Sequence, residues 1–389
     1  MCLIPIKRKG VPKMPKASNP SEIKAQNRQQ IFRFIRRNGP VSKQDIVIGL
    51  GLSLPTVTQN VQFLENLGLI IPSKVKKTGG RDATAYSYKI DGRHAIGVFF
   101  SNNHINAVCV DLSGEVVCRA RERMPFNLDD ENYLRKIAEI VETLKDEAKV
   151  SDKELLGVGI AVPSLVSDDG ERIIHAMNRS FTGKTRAEIA RYIPYPSRIF
   201  HDSYAAGFAE VWIDHSIQNA LYISLNDTIG CSQIIGNHIY CGDNNRAGEL
   251  GHLCIVPKGG KLCYCGKRGC FDTLCNVSVL DSYTDGNLPE FFRLLKEGDS
   301  GAGEIWDEYL DNLALTIHNM RMLFDCTIII GGYVGAFIED YLDDLCARVD
   351  VRDSFDDPAI QYVKPCKYKI ETTAAGAAIQ IIADFIKSI

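Results

Sequence analysis

The spacing of apolar residues changes near His94, and this change divides the chain into two parts that must fold differently. Before it, apolar residues recur at helical spacing; after it, short apolar strands alternate with helices, which is typical of an α/β domain. At 389 residues the chain is too long for one hydrophobic core, so two or three domains are expected. It contains no apolar run of the roughly 18 residues that a membrane span requires. We therefore predict a cytoplasmic protein without a membrane partner.

Charge separates the same two parts. Residues 1–95 hold 17 Lys or Arg and 5 Asp or Glu, a formal charge of +12, although the whole chain carries −3. A basic module on an acidic body predicts contact with a polyanion at the N-terminal end. A basic face that merely stays in solvent is the alternative, which charge alone does not exclude. Residues 1–20 are basic, contain proline and lack periodicity, so a disordered tail is expected.

Three helices are predicted within the basic segment. The first covers about residues 23–37, the second begins at Ser42, whose spacing to Asp45 is that of a capping box, and the third begins at Ser53 and ends at Gly68. The residues expected to face inward are Ile31, Phe34 and Ile35 in the first helix, Ile46, Val47 and Leu50 in the second, and Val57, Val61 and Leu64 in the third.

The third helix has the character of a DNA recognition helix. Its polar candidates for DNA contact are Ser53, Thr56, Thr58, Gln59 and Gln62. Such side chains near a helix start can read base edges in the major groove. The alternating segment that follows predicts a hairpin with a basic tip, whose expected phosphate contacts are Lys74, Lys76, Lys77 and Arg81. The pattern predicts a winged helix-turn-helix that binds double-stranded DNA, although helix pairs of this kind also serve as protein-binding modules.

The remainder is predicted as two similar α/β lobes. In the first, strands are expected at Ala95–Phe100, Ile105–Val110, Glu115–Arg119 and Leu156–Val162, with a helix at Glu131–Lys149. In the second, they are expected at Ala220–Leu225, Cys231–Ile235, His238–Tyr240 and Thr327–Ile330, with a helix near Glu304–Leu323. The last helix, Thr372–Lys387, begins with small residues that would allow close packing against the first lobe.

One histidine and three cysteines form a candidate metal site, namely His252, Cys263, Cys265 and Cys270. One nitrogen and three sulfur ligands suit a closed, tetrahedral, structural Zn²⁺ site. A disulfide loop is the alternative, but 13 cysteines is an odd count, and the first residues turn basic where a secretory signal would stay apolar. The metal would stiffen the loop and fix Glu249, whose carboxylate could then bind a polyhydroxylated ligand.

These features together resemble the ROK family of repressors and sugar kinases, over about residues 20–389. The resemblance is carried by Gly248-Glu249-Leu250-Gly251-His252, by the cysteine cluster, and by His201-Asp202 followed by Ala205 and Glu210. It implies a two-lobed, actin-like ATPase fold of the ribonuclease H type. The N-terminal winged helix makes the chain most like the regulator branch, which includes the N-acetylglucosamine, glucose and xylose repressors.

The resemblance also implies a division into domains. We predict a tail at residues 1–20 and a winged helix-turn-helix at 21–92. A first lobe is expected at 93–200, completed by the C-terminal helix 372–389, and a second lobe with the zinc loop at 201–371.

Two phosphate-binding loops of the family's kinases are altered in this chain. An Asp-x-Gly-Gly-Thr loop follows the first strand in the kinases, where this chain has residues 99–103, Phe-Phe-Ser-Asn-Asn. A Gly-Thr-Gly-x-Gly loop is replaced by residues 226–230, Asn-Asp-Thr-Ile-Gly, in which Asp227 would repel a triphosphate. Since phosphoryl transfer depends on backbone that approaches the phosphates and on a carboxylate that holds Mg²⁺, no catalysis is expected. An ATP-dependent sugar kinase with a fused DNA-binding domain is the alternative.

The sugar half of the site is better retained. By resemblance, the candidate sugar contacts are Asn178, His201, Asp202, Glu249, His252 and Asp272. Asp202 corresponds to the kinases' general base and would here only accept a hydrogen bond; His201 replaces their asparagine, and Asp272 their longer glutamate. For each, a satisfied polar loop residue is the alternative. The chain is thus predicted to be a sugar-responsive transcriptional regulator, a repressor without catalytic activity. It is expected to bind operator DNA as a homodimer or a tetramer and to sense a sugar or sugar phosphate.

Overall fold

The structure is a computed structural model that describes residues 20–75, 83–176, 179–352 and 355–389. The chain forms two compact units. Of the described residues, those up to Gly92 and those of Phe385–Ile389 form one unit, and those of Arg93–Asp384 form the other.

The N-terminal unit is a winged helix-turn-helix. Its helices are α1 (Pro20–Asn38), α2 (Lys43–Leu50) and α3 (Leu54–Asn66), and its strands are β1 (Val41–Ser42), β2 (Ile70–Val75) and β3 (Ala83–Tyr88). The three strands form an antiparallel sheet in the order β1-β3-β2, in which β2 and β3 are the strands of the wing. The predicted helix-helix-helix-hairpin order is confirmed.

Capping residues set the limits of the helices as predicted. The Ser42 side chain accepts a hydrogen bond from the Asp45 backbone amide, and the Asp45 carboxylate accepts one from the Ser42 backbone amide, which completes the capping box. Ser53 caps α3, and Gly68 follows this helix with φ of 68°. Val57, Val61 and Leu64 are fully buried, as predicted.

The inward faces of α1 and α2 differ from the prediction. Phe32, not Phe34, is fully buried with Ile31 and Ile35, because α1 packs against β3 as well as α3 and the Phe32 ring meets Tyr88 at 5.5 Å. In α2 only Ile46 is fully buried, whereas Val47 and Leu50 are partly exposed. A prediction based on one apolar stripe therefore misses buried residues when a helix packs against both a helix and a sheet.

The second unit begins with a five-stranded sheet. Its strands are β4 (His94–Phe100), β5 (His104–Asp111), β6 (Val116–Arg123), β7 (Leu155–Val162) and β10 (Ser197–His201), in the order β10-β7-β4-β5-β6. Between them lie α4 (Glu131–Glu147), the hairpin β8 (Ser164–Val166) and β9 (Ile173–Ala176), and α5 (Arg186–Ile189).

A second five-stranded sheet follows α6 (Asp202–Ile213). Its strands are β11 (Ala220–Leu225), β12 (Ile229–Ile235), β13 (His238–Tyr240), β14 (Thr327–Gly331) and β15 (Val363–Pro365), in the order β13-β12-β11-β14-β15. The other helices are α7 (Asp272–Cys275), α8 (Ser278–Asp281), α9 (Leu288–Glu297), α10 (Ser300–Phe324), α11 (Gly332–Gly335), α12 (Leu342–Asp350) and α13 (Thr372–Ser388).

The two sheets share one topology. In each, the first three strands are antiparallel neighbours, and the last two run parallel to the first strand on its other side. This repeat confirms the predicted two-lobed α/β fold. The sequence pattern missed the short strands β8, β9, β10 and β15, which are too brief to show a period, and it began α10 at Glu304 although Asp299 caps this helix.

Small residues allow α13 to approach the first sheet closely. A Cβ added at Gly97 would lie 1.8 Å from the Ala374 carbonyl oxygen, and one at Gly159 would lie 2.2 Å from that of Ala377. Backbone therefore contacts backbone where β4 and β7 meet α13. Among the described residues, no helix is both long and apolar enough to span a membrane.

Candidate zinc loop, sugar cleft and recognition helix

The four predicted metal ligands converge. The ligand atoms of His252, Cys263, Cys265 and Cys270 all lie within 4.8 Å of one another. His252 Nδ1 is 3.7 Å from Cys263 Sγ, and the Sγ atoms of Cys265 and Cys270 are also 3.7 Å apart. A tetrahedral site with Zn–S bonds of about 2.3 Å has sulfurs about 3.8 Å apart. The cluster is therefore consistent with the zinc site of the family.

Local backbone geometry builds the metal loop. The amides of Ile255 and Val256 both donate to the Gly269 carbonyl, at 2.8 and 3.1 Å. Gly269 has φ of 73°, and a Cβ there would lie 1.8 Å from the Val256 carbonyl oxygen, so this turn requires glycine. Burial, and then the neighbouring thiols, raise the pKa of Cys270 to about 12. A bound cation is what would hold this buried group as a thiolate.

Glu249 lies beside the metal cluster on the open side of the histidine. His252 directs Nδ1 to the thiols, and its Nε2 is 4.0 Å from Glu249 Oε2. The preceding residue, Gly248, has φ of 85°, and a Cβ there would lie 2.2 Å from the Cys231 carbonyl oxygen. The Glu249 side chain remains 44% exposed, so its carboxylate is free to meet a ligand.

His201 and Asp202 stand at the junction of β10 and α6. Asp202 Oδ1 accepts a hydrogen bond of 2.7 Å from the Ser203 backbone, and His201 Nδ1 lies 3.5 Å from the same oxygen. His201 Nδ1 is buried and makes no hydrogen bond within the described part of the chain. Since buried polar atoms in folded proteins are usually paired, this nitrogen fits a site that a ligand hydroxyl completes.

Tyr204 connects these two groups of residues and was missed by sequence analysis. Its ring lies 4.5 Å from that of His201, and its hydroxyl donates to the Ala247 carbonyl at 3.0 Å, one residue before Gly248. Burial raises the pKa of Tyr204. The only sequence signal was a tyrosine one helical step from His201, which is too common a pattern to identify the contact.

The other two candidate sugar contacts differ. Asn178 lies outside the described residues. Asp272 is buried, and its Oδ1 accepts a hydrogen bond of 2.7 Å from the Ile229 amide. Burial also raises the pKa of Asp272. At least one oxygen of this carboxylate therefore serves to hold the start of β12.

The two loops that correspond, by the family resemblance, to the kinases' phosphate loops are joined by a hydrogen bond of the protein itself. Phe99 and Phe100 are buried in the sheet. The Asn102 amide donates to Asp227 Oδ2 at 3.1 Å, and the Asn106 side chain donates to the Tyr333 hydroxyl at 3.0 Å. Both bonds join the first lobe to the second. Burial raises the pKa of Asp227, and the hydrogen bond from the Asn102 amide opposes this shift.

A cavity of about 740 Å³ remains beside these bonds. Its charged lining comprises His104, Arg121 and Arg123 from the first lobe, and Asp227, Asp281 and Asp285 from the second. The Arg121 guanidinium lies 5.3 Å from the centre of the Tyr333 ring. Burial, and then the two arginines, lower the pKa of His104. The two arginines of the first lobe and the three aspartates of the second therefore line the same cavity.

The predicted DNA contacts have different surroundings. Thr58 and Gln59 are exposed on α3. The hydroxyls of Ser53 and Thr56 lie 2.8 Å apart, within hydrogen-bonding distance, and the Gln62 amide donates to Asn66 at 3.1 Å. Lys74 is on β2 but its side chain is not described, and Lys76, Lys77 and Arg81 lie outside the described residues.

Comparison with known proteins gives matches in both parts of the chain. The ROK family profile matches residues 95–383, and a winged helix-turn-helix DNA-binding profile matches residues 25–71. The xylose repressor of Bacillus subtilis strain 168 is 25% identical over 262 residues, which cover 66% of this chain and 67% of that protein. A glucokinase of Halalkalibacterium halodurans is 28% identical over 193 residues, which cover 48% of this chain and 57% of that protein.

A solved structure matches both units. It is a ROK family transcriptional regulator described as a homologue of the E. coli MLC protein, with a TM-score of 0.72 and 20% identity over 94% of this chain and 98% of that one. At this identity the likeness concerns the fold. Together with the family match over most of the second unit, it identifies the chain as a member of the ROK family that carries an N-terminal winged helix-turn-helix domain.

Proposed function

We propose that this protein is a sugar-responsive transcriptional repressor whose ROK domain binds a sugar or sugar phosphate without phosphorylating it. The observation that carries the proposal is the hydrogen bond from the Asn102 amide to Asp227. In a kinase the loop that contains Asp227 would have to receive phosphate, but here it carries a carboxylate that is already bonded to the first lobe. The winged helix supplies the DNA-binding part. The match to the Bacillus subtilis xylose repressor also covers more of this chain than the match to the Halalkalibacterium halodurans glucokinase does, and the regulator structure covers 94% of it.

The sugar half of the cleft offers the groups that such a ligand needs. Asp202 and Glu249 provide carboxylate acceptors for hydroxyls, and His201 Nδ1 is a buried ring nitrogen that makes no hydrogen bond with described residues. His252 would hold zinc through Nδ1 and meet the ligand with Nε2. The zinc ion, held by His252 and the three cysteines, would supply structural rigidity to the loop that carries Glu249. Asn178 and Asp272 are kept as candidate contacts.

Loss of phosphoryl transfer follows from both altered loops. Phe99 stands where the kinases have the carboxylate of their first loop, and its ring is buried in the sheet. Asp227 is a second obstacle, because a triphosphate would have to displace it from Asn102 and accept a nearby negative charge. Retention of Asp202 does not contradict this, since a carboxylate can accept a hydroxyl hydrogen bond without removing the proton.

Regulation would act through the distance between two recognition helices. A dimer that binds two half-sites needs these helices about one DNA turn apart. A ligand that binds one arrangement of the lobes more tightly than another would change that spacing. The free energy of DNA binding would then change by the difference between the ligand's binding free energies for the two arrangements, typically about 1–3 kcal/mol. The proposed contacts to bases are Ser53, Thr56, Thr58, Gln59 and Gln62, and those to phosphates are Lys74, Lys76, Lys77 and Arg81.

The test combines DNA selection with ligand screening on the full chain. Duplexes are selected from a random pool, and a thermal-shift panel of pentoses, hexoses, N-acetylhexosamines and their phosphates is run on wild type and Asp202→Asn. We expect a selected duplex whose affinity changes with one sugar that also raises the melting temperature, and loss of that shift in Asp202→Asn. Sugar-dependent ATP turnover that disappears in Asp202→Asn would instead establish the kinase. Failure to select any duplex would remove the repressor assignment.

A further inference from the structure

The first turn of α3 presents an apolar surface. Leu54 is 50% exposed, and Pro55 beside it is also exposed. Each lies one helical turn before a predicted base contact, Leu54 before Thr58 and Pro55 before Gln59. Because residues four apart share a helix face, the apolar pair extends the surface that would enter the major groove toward its N-terminal end.

Other polar residues of the same helix are already engaged. The Ser53 hydroxyl caps α3 by accepting from the Thr56 amide at 3.3 Å, and it lies 2.8 Å from the Thr56 hydroxyl. The Gln62 amide donates to Asn66 at 3.1 Å. These bonds stabilise the helix itself. They leave Leu54 as the large exposed apolar side chain at the end of the recognition helix where base contacts concentrate.

We propose that Leu54 is a specificity-determining residue that contacts the C5-methyl group of a thymine in each operator half-site, with Pro55 completing the apolar contact. This inference rests on the proposed DNA-binding function. The thymine methyl is the apolar group that a base pair displays in the major groove, and an apolar side chain distinguishes it from the other base edges. Leu54 has no capping role, because the cap is provided by Ser53.

The experiment removes the methyl group from the DNA. In the duplex that the full-length protein selects, each thymine is replaced in turn by deoxyuridine, which lacks only that methyl. Binding is measured for wild type, Leu54→Ala and Leu54→Met. Ile90→Ala is the matched control, since Ile90 is 49% exposed but lies on a different element of the same unit.

We expect one thymine per half-site at which deoxyuridine weakens wild-type binding about fourfold, the effect of one buried methyl-sized group. Leu54→Met and Ile90→Ala should retain this penalty, whereas Leu54→Ala should bind the two DNAs equally. A penalty that persists in Leu54→Ala but disappears in Thr58→Ser would transfer the contact to Thr58. Sensitivity to Gln59→Ala without any deoxyuridine effect would overturn the inference and leave the DNA-binding function intact, whereas selection of no duplex would remove both.

Discussion

The two halves of the cleft between the lobes have opposite hydrogen-bonding states. On the side that corresponds by resemblance to the kinases' phosphate loops, called the closed half, the Asn102 amide and the Asn106 side chain are bonded across the cleft to Asp227 and Tyr333. On the side that we propose binds a sugar, called the open half, His201 Nδ1 is buried without a hydrogen bond among described residues, and Glu249 is 44% exposed. A buried polar atom without a hydrogen bond destabilises the fold, so such an atom is expected mainly where a ligand can supply the missing hydrogen bond. The contrast indicates that polar groups of the closed half bond to one another, whereas those of the open half are available to a ligand.

The loop with the four candidate metal ligands lies beside Glu249 of the open half. Removing one of these ligands should lower the free energy of unfolding more than any other substitution considered. Cys270 is fully buried in the cluster, so Cys270→Ser should lose the metal and cost about 3–5 kcal/mol. Metal content by mass spectrometry and the free energy of unfolding by denaturant titration are the measurements. Cys254→Ser is the matched control, because Cys254 is exposed and outside the cluster. Equal losses in both variants would contradict a specific metal site.

A buried carboxylate on α6, that of Glu210, tests how strongly burial shifts the pKa of a carboxyl group in this protein. Burial raises the pKa of Glu210 to about 7, despite a 3.0 Å hydrogen bond from the Lys367 amide. The folded state therefore prefers the protonated form, and stability is lost as pH rises from about 4.5 to 7. Glu210→Gln should become more stable relative to wild type by about 3 kcal/mol between pH 4 and 8. Unfolding free energies across this range give the result, and a difference independent of pH would refute it.

Sugar binding should depend on the half-exposed carboxylate of the open half. Glu249→Gln preserves the size of the side chain and removes its charge. The variant should therefore bind the sugar identified in the thermal-shift panel with an affinity about 10- to 100-fold lower than wild type. Calorimetric titration measures the affinity. The metal content should stay at the wild-type level, because Glu249 is not a ligand of the cluster. Unchanged sugar affinity would remove Glu249 from the site.

Sequence patterns predicted the groups that are close along the chain better than those joined by the fold. The capping box at Ser42 and the metal cluster lie within short segments, and both were found from spacing alone. The bond between Asn102 and Asp227 joins residues 125 positions apart, and the contact of Tyr204 with Ala247 joins residues 43 apart. No periodicity links such pairs. Asp227 was expected to repel a nucleotide, but its own partner became visible only in three dimensions.

The closed half should lose stability when the hydrogen bond between Asn102 and Asp227 is removed. Asp227→Ala leaves the Asn102 amide without its carboxylate acceptor, and we expect a cost of about 1–2 kcal/mol. Asp227→Asn is the control, since its carbonyl can still accept that bond. Chemical denaturation distinguishes the two variants. If Asp227→Asn were as unstable as Asp227→Ala, charge and not the hydrogen bond would be the important contribution.

The open half has its own bond between the lobes, and its acceptor, Asp168, is exposed, whereas the acceptor Asp227 is half-buried. Asn245 donates to Asp168 Oδ1 at 2.6 Å, and both residues lie in loops at the surface of the second unit. Water can replace this partner, so Asn245→Ala should cost less than about 1 kcal/mol, below the cost of Asp227→Ala. The same denaturation experiment compares them. If the order were reversed, the sugar side would be the more firmly closed half, and the contrast between a closed nucleotide side and an open sugar side would fail.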